Sequence, residues 1–221
     1  MEMKTLRDLY VDELKDLYSA EKQLIKALPK MAKATNDAQL EKAFTTHLRQ
    51  TERQAQRLEE IFNELGESPR GKKCVGMEGL IEEGQELIKE RPDPDVLDAG
   101  LISKAQHVEH YEIAGYGTVR TYARLLGFER QAQLLQETLD EEGETDKLLT
   151  QLAESSVNIE AATAEGDEEE ETTRTERGSS RSAEREVSRR AAVEAGRGGA
   201  KGKGARRGGG RATREKESTT R

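Results

Sequence analysis

The stretch VEHYEIAGY, residues 108–116, carries two glutamates three residues apart on an otherwise apolar stripe. At that spacing Glu109 and Glu112 share one side of a helix. Their neighbours on that side are Ile102, Ala105, Tyr116, Val119, Ala123 and Leu126. Other apolar stripes are interrupted too: by Glu21, by Glu142 and Asp146 with Glu141 beside them, and by His47, Thr51 and Gln54. Several carboxylates in one dry layer cannot all stay ionised alone, so they share protons, pair with cations or bind metal. Inward carboxylates from several helices, with histidine, build di-iron and di-manganese centres. Such ligands suit iron or manganese without choosing between them. The candidate metal ligands are therefore Glu21, His47, Gln54, Glu109, Glu112, Glu141 and Glu142. The plainer reading of any one glutamate is a side chain rotated to the rim and paired with Lys or Arg. For His47 it is a hydrogen-bonded core or rim imidazole. His107 is expected to face outward, and His110 to flank the stripe.

These side chains need helices to hold them. Stepping by threes and fours exposes four amphipathic segments, 4–34, 38–65, 95–126 and 128–157. The first stripe reads Tyr10, Leu14, Leu17, Glu21, Leu24, Leu28, Met31, and the last includes Leu135, Leu139, Glu142, Asp146 and Leu149. Pro29 lies inside the first segment, where it removes a backbone donor and should bend the helix. A capping-type turn near residue 36 and Gly127 make two short links, hence two antiparallel hairpins. Nearly thirty residues separate the hairpins, with Gly and Pro breakers and a short helical piece around Glu78–Lys89. No run of β-branched alternation signals a strand. Two hairpins joined by one long crossover form a ferritin-like, all-α four-helix bundle.

Depth along the hairpins tests whether the polar interruptions meet. Glu21 and Glu112 each precede their turn by 15 residues, and Thr51 and Glu142 each follow theirs by 15. At about 1.5 Å per residue, all four sit roughly 22 Å from a turn. Hairpins related by a pseudo-two-fold would bring them together.

At these residues the chain resembles the YciE/YciF family of ferritin-like proteins. The matching pieces are YSAEKQL at 18–24, KKCVGMEGLIEEG at 72–84, VEHYEIAGYGT at 108–118 and ETLDEE at 137–142. The resemblance spans residues 4–158. It implies a dimeric ferritin-like bundle of the bacterial stress-associated kind, whose members are often labelled ferroxidases. On that footing Glu21 and Glu112 would be terminal or bridging carboxylates, Glu109 and Glu142 would complete the layer, and Glu141 would be adjustable. The activity would be Fe(II) oxidation or peroxide handling. Ferritin-like sites usually take Glu-x-x-His from the second helix. Here that helix offers Thr51 and Gln54, and the fourth offers Glu141, Glu142 and Thr145. Two metals, one metal and none are all open, and the alternative is a metal-free dimeric helical interaction protein.

Composition bounds the rest. Of 221 residues 33% are hydrophobic and 36% charged, with a net charge of −8. The single cysteine, Cys74, excludes an intrachain disulfide and a multi-cysteine zinc site. No apolar run reaches the roughly 18–20 residues a membrane helix needs, and the N-terminus lacks a signal-peptide core. A soluble, cytoplasmic protein is expected. No phosphate-binding glycine loop or nucleophile elbow appears. After the bundle at 1–158, residues 159–221 read as a disordered tail, with an acidic run at 165–171. Residues 172–221 carry 15 Lys and Arg against six Asp and Glu. Glycine fills 8 of the 15 positions from 196 to 210, too little apolar surface to offset ordering entropy. The basic glycine-rich part could contact nucleic-acid backbones without base stacking, since no aromatic residue interrupts it.

Overall fold

Helix starts are set by side chains that accept the free N–H groups of a first turn. The structure, a computed structural model, describes residues 3–163. Thr5 and Asp8 form a reciprocal capping box ahead of α1 (Leu6–Ala34), which runs unbroken through Pro29. Asp37 caps α2 (Ala38–Leu65) by accepting from the Leu40 N–H at 2.7 Å, and Gly66, at φ 68°, closes it. The Cys74 thiol caps the crossover helix α3 (Val75–Glu90), accepting from the Met77 N–H at 3.4 Å. Asp93 and Pro94 start α4 (Pro94–Leu125). Gly127, at φ 76°, makes the turn into α5 (Glu129–Leu152). A π-helical turn, Ala153–Val157, and helical residues 158–163 continue α5.

The hairpins α1–α2 and α4–α5 pack so that α1 lies against α4 and α2 against α5, with α3 laid over α1 and α4. Two apolar clusters divide the core. One gathers Leu24, Leu28, Leu40, Phe44, Ile102 and Leu149 near the α1–α2 turn. The other gathers Tyr10, Leu14, Ile61, Tyr116, Val119 and Leu135 near the α4–α5 turn. The two turns thus sit at opposite ends of the bundle. Equal depth from each turn is therefore the middle, which is why the polar residues meet there.

A buried carboxylate locks the hairpins together at one end. Asp98 of α4 accepts from the Asn36 N–H at 3.0 Å and the Asp37 N–H at 2.7 Å. Those are donors that α1–α2 chain reversal leaves without helical partners.

Two expectations are adjusted. The α5 stripe is Thr138, Glu142, Thr145, Leu149, Leu152 rather than one through Leu139 and Asp146, which are only partly buried. A 3.6-residue period drifts against a strict three-four step, so the inward side moves by one position. The helix also passes the expected limit at 158 and continues to 163. The expected disordered tail beyond 163, its acidic run and its basic part at 172–221 lie outside the described residues. Among the described residues no helix is long and apolar enough to cross a membrane.

Candidate metal centre

Between the two apolar clusters lies a layer of polar side chains from all four bundle helices. Glu21 (α1), Thr51 and Gln54 (α2), Glu112 (α4) and Glu142 (α5) are fully buried, and His47 and Glu109 are each 2% exposed. His47, Glu109 and Glu142 place one ligand atom each within 4.8 Å of the others. The His47 Nε2 lies 3.3 Å from Glu109 Oε1 and 3.7 Å from Glu142 Oε2.

Nine buried side-chain nitrogen or oxygen atoms lack a hydrogen-bond partner among the described residues, and seven belong to this layer. They are Glu21 Oε2, His47 Nε2, Gln54 Oε1, Glu109 Oε2, both Glu112 oxygens and Glu142 Oε2. An orphaned buried polar atom costs about 1–3 kcal/mol, so such a concentration is far outside ordinary core packing. Oxygen and imidazole lone pairs converging from four helices fit a transition-metal ion.

Surrounding groups hold one side of several ligands and leave the other free. The Tyr116 hydroxyl donates to Glu21 Oε1, leaving Oε2. The Gln54 amide donates to Glu142 Oε1, leaving Oε2. Thr145 Oγ1 donates to the Glu141 carbonyl at 3.1 Å and lies 3.3 Å from His47 Nδ1. With its hydrogen committed, that hydroxyl accepts from Nδ1–H, which leaves the Nε2 lone pair facing Glu109 and Glu142. Outer partners of this kind orient ligands in metal sites.

Electrostatics agree. Burial, then the Glu142 charge, pushes the Glu21 and Glu109 carboxyls well above the usual carboxylate range. Burial, then Glu21, does the same to Glu112. Without a cation the layer therefore holds protons. Burial and then Glu21 push the Tyr116 hydroxyl up as well.

Of the seven candidate ligands, the structure brings Glu21, His47, Gln54, Glu109, Glu112 and Glu142 into the layer. Glu141 points elsewhere, onto the α2–α5 surface, where Arg57 grips it at 2.7 and 2.9 Å. Partial burial raises its carboxyl, but the Arg57 guanidinium outweighs this and holds it below its ordinary range. It adopts the rim-and-arginine alternative because adjacent helical residues are about 100° apart, so only one of the pair can face in. Thr51 is in the layer but spends its hydroxyl on the His47 carbonyl at 2.9 Å. His107 is exposed, and His110 lies on the rim, 3.4 Å from Asp146. Sequence reasoning missed the supporting roles of Tyr116 and Thr145 and the ion pair of Arg57. Tyr116 had a signal, one helical turn from Glu112 on the same stripe, and Thr145 had one in its place three residues after Glu142; Arg57 had none.

Residues 5–162 match the family described as Domain of unknown function (DUF892). YciF of Escherichia coli (strain K12) is 49% identical over 162 residues, 73% of this chain and 98% of YciF. The crystal structure of the E. coli stress protein YciF superposes with a TM-score of 0.68, covering 71% of this chain and 99% of that one at 49% identity. YcfI from Rhodopseudomonas palustris gives 0.66 at 40% identity, over 67% of this chain and 95% of that one. A protein from Xanthomonas campestris pv. campestris, 21% identical with a TM-score of 0.57, covers 74% of this chain and 99% of its own and shares the fold alone.

Proposed function

The chain belongs to the DUF892 family, as a homologue of the stress protein YciF, and we propose that its mid-bundle layer binds iron or manganese and serves Fe(II) oxidation or peroxide handling under stress. The observation that carries this reading is the set of seven orphaned ligand atoms in one buried layer. His47, Glu109 and Glu142 are the nearest-set ligands, with Glu21 and Glu112 completing the shell. A bound redox-active metal would supply one-electron chemistry toward oxygen or peroxide, with Fe(II) as the substrate in the ferroxidase case. The chain's own part is to orient and to manage protons. Tyr116 and Gln54 turn free carboxylate oxygens inward, Thr145 sets the His47 tautomer, and the apolar clusters on both sides exclude water. Glu21, Glu109 and Glu112 would hold protons in the metal-free protein and release them as a cation takes their place.

The test is metal analysis of protein purified aerobically from iron-supplied and manganese-supplied cells, followed by Fe(II) oxidation measured against buffer. The expected result is bound metal that falls sharply in Glu109→Gln and Glu142→Gln, with oxidation faster than buffer. Metal-free protein that cannot be loaded and does not accelerate oxidation refutes the reading.

A metal-free, dimeric interaction protein is the competing proposal. What favours it is α2, which supplies an imidazole and a neutral amide but no carboxylate to the layer. In that version the basic residues 172–221 would associate with DNA or RNA. Deleting them and comparing retention on DNA at low and high salt decides the tail's part; equal retention refutes it.

A further inference from the structure

The layer is sealed above and below by apolar side chains, so a cation must reach it between helices. One slot opens among α1, α3 and α4. It is lined by Leu24, Met31, Leu80, Ile81 and Ile88, with Lys30 and Lys104 beside them. Apolar walls and the Lys30 ammonium oppose a dehydrating cation, while Lys104 is held by Glu83 at 2.8 Å.

The α2–α5 face is different. There the carboxylates form steps from water to the layer: Glu137 with its side chain 60% exposed, Glu141 at 20%, then Glu142 at 0%. Gln54, itself fully buried, joins the last two, donating from Nε2 to Glu141 at 3.1 Å and also to Glu142. Its Oε1 has no partner. Over the outer steps lie Arg57 and, more loosely, the largely exposed Arg53, whose guanidinium stands 4.0 Å from Glu141; Arg57 makes the close contacts. It binds Glu141 through two nitrogens and approaches Glu137 at 3.4 Å and Thr138 at 3.2 Å.

Resting on the metal-binding reading above, we propose that this face is the portal for divalent transition-metal cations, with Glu137 and Glu141 as capture carboxylates and Arg57 as the gate that occupies them. The guanidinium satisfies both acids while no metal is present and repels an approaching cation. When it swings toward solvent, Glu141 is freed to take the ion. The unpartnered Gln54 oxygen is the next ligand inward, and Glu142 the one after. Glu137, largely exposed, loses little when Arg57 leaves, and the arriving cation replaces the guanidinium at Glu141, so that 20% exposed carboxylate is not left unpaired.

The test uses the full chain stripped with EDTA and Co(II) alone as probe, with binding followed by stopped-flow absorbance and stoichiometry measured at equilibrium. Arg57→Gln is expected to load about tenfold faster than the unaltered protein, the size of effect a charge at a portal has on association. Its stoichiometry should not change. Glu141→Gln should load more slowly, and adding Arg57→Gln to it should restore no speed, because the gate acts through Glu141. Arg57→Lys, which keeps the charge and loses the two-nitrogen grip, should fall between; it also serves if Arg57→Gln does not fold. Full stoichiometry with unchanged rates in both single variants overturns the portal and leaves the metal site standing. So does faster loading in Lys30→Gln or Lys104→Gln, which would place access at the other slot. If the unaltered protein binds no Co(II), the metal-site reading itself falls, and the portal with it.

Discussion

Replacing Glu112 by glutamine should make the metal-free bundle more stable, increasingly so as pH rises. Glu112 is fully buried, and neither of its oxygens has a hydrogen-bond donor. Burial and the nearby Glu21 raise its carboxyl well above the unfolded value of 4.5. Below that value both folded and unfolded chains carry the proton, and pH has no leverage on this group. Above it the unfolded chain releases the proton while the folded chain keeps it, so rising pH favours unfolding until the folded group itself ionises. One proton retained in this way costs about 1.4 kcal/mol per pH unit. Above the unfolded value of 4.5 the glutamine variant should therefore gain on the parent as pH rises, at that rate at most, until the folded group ionises. The assay is urea unfolding of both EDTA-treated proteins at several pH values. Surface groups titrate alike in both, so the difference reports Glu112 together with the buried groups it acts on, Glu109 and Tyr116. Parallel pH curves, or a parent that gains on the variant with rising pH, would refute the claim that this carboxyl is buried without a cationic partner. Saturating metal should reverse the order near neutral pH, because only the parent offers the full ligand set, and binding at about 100 Kd stabilises by about 2.7 kcal/mol.

Two further outcomes are expected. Asp98→Ala removes the acceptor of the Asn36 and Asp37 N–H groups. It should cost about 2–3 kcal/mol in urea unfolding while leaving metal content intact, since Asp98 stands near the α1–α2 turn and not in the layer. Tyr116→Phe removes the donor to Glu21. It should destabilise the metal-free protein by about 1–2 kcal/mol and weaken metal affinity about tenfold or more, as loss of an orienting partner does; unchanged affinity by competition with a chelator would contradict the orienting role.

Much of this molecule is local physics, and so was legible in the sequence. Helical period, Asp37 and Gly127 at the turns, and the breakers of the crossover each act within a few residues, and together they dictate two hairpins. The depth of Glu21, Glu112 and Glu142 follows from rise per residue alone, which is why those three match on sequence spacing. Where the neighbour of a stripe residue goes is another matter. The three-four step already puts Glu142 on the inner stripe, but only the packing of α5 against α2 carries the adjacent Glu141 to Arg57. The same holds on α2. Depth alone singled out Thr51, yet His47 is the residue that meets Glu109 and Glu142: with the turns at opposite ends, His47, four residues nearer its turn than Thr51, stands level with Glu109, three residues farther from its own than Glu112. Partnerships such as Tyr116 with Glu21 and Asp98 with the α1–α2 turn join residues more than 60 positions apart. No local rule encodes them; they exist because the two turns lie at opposite ends of the packed bundle.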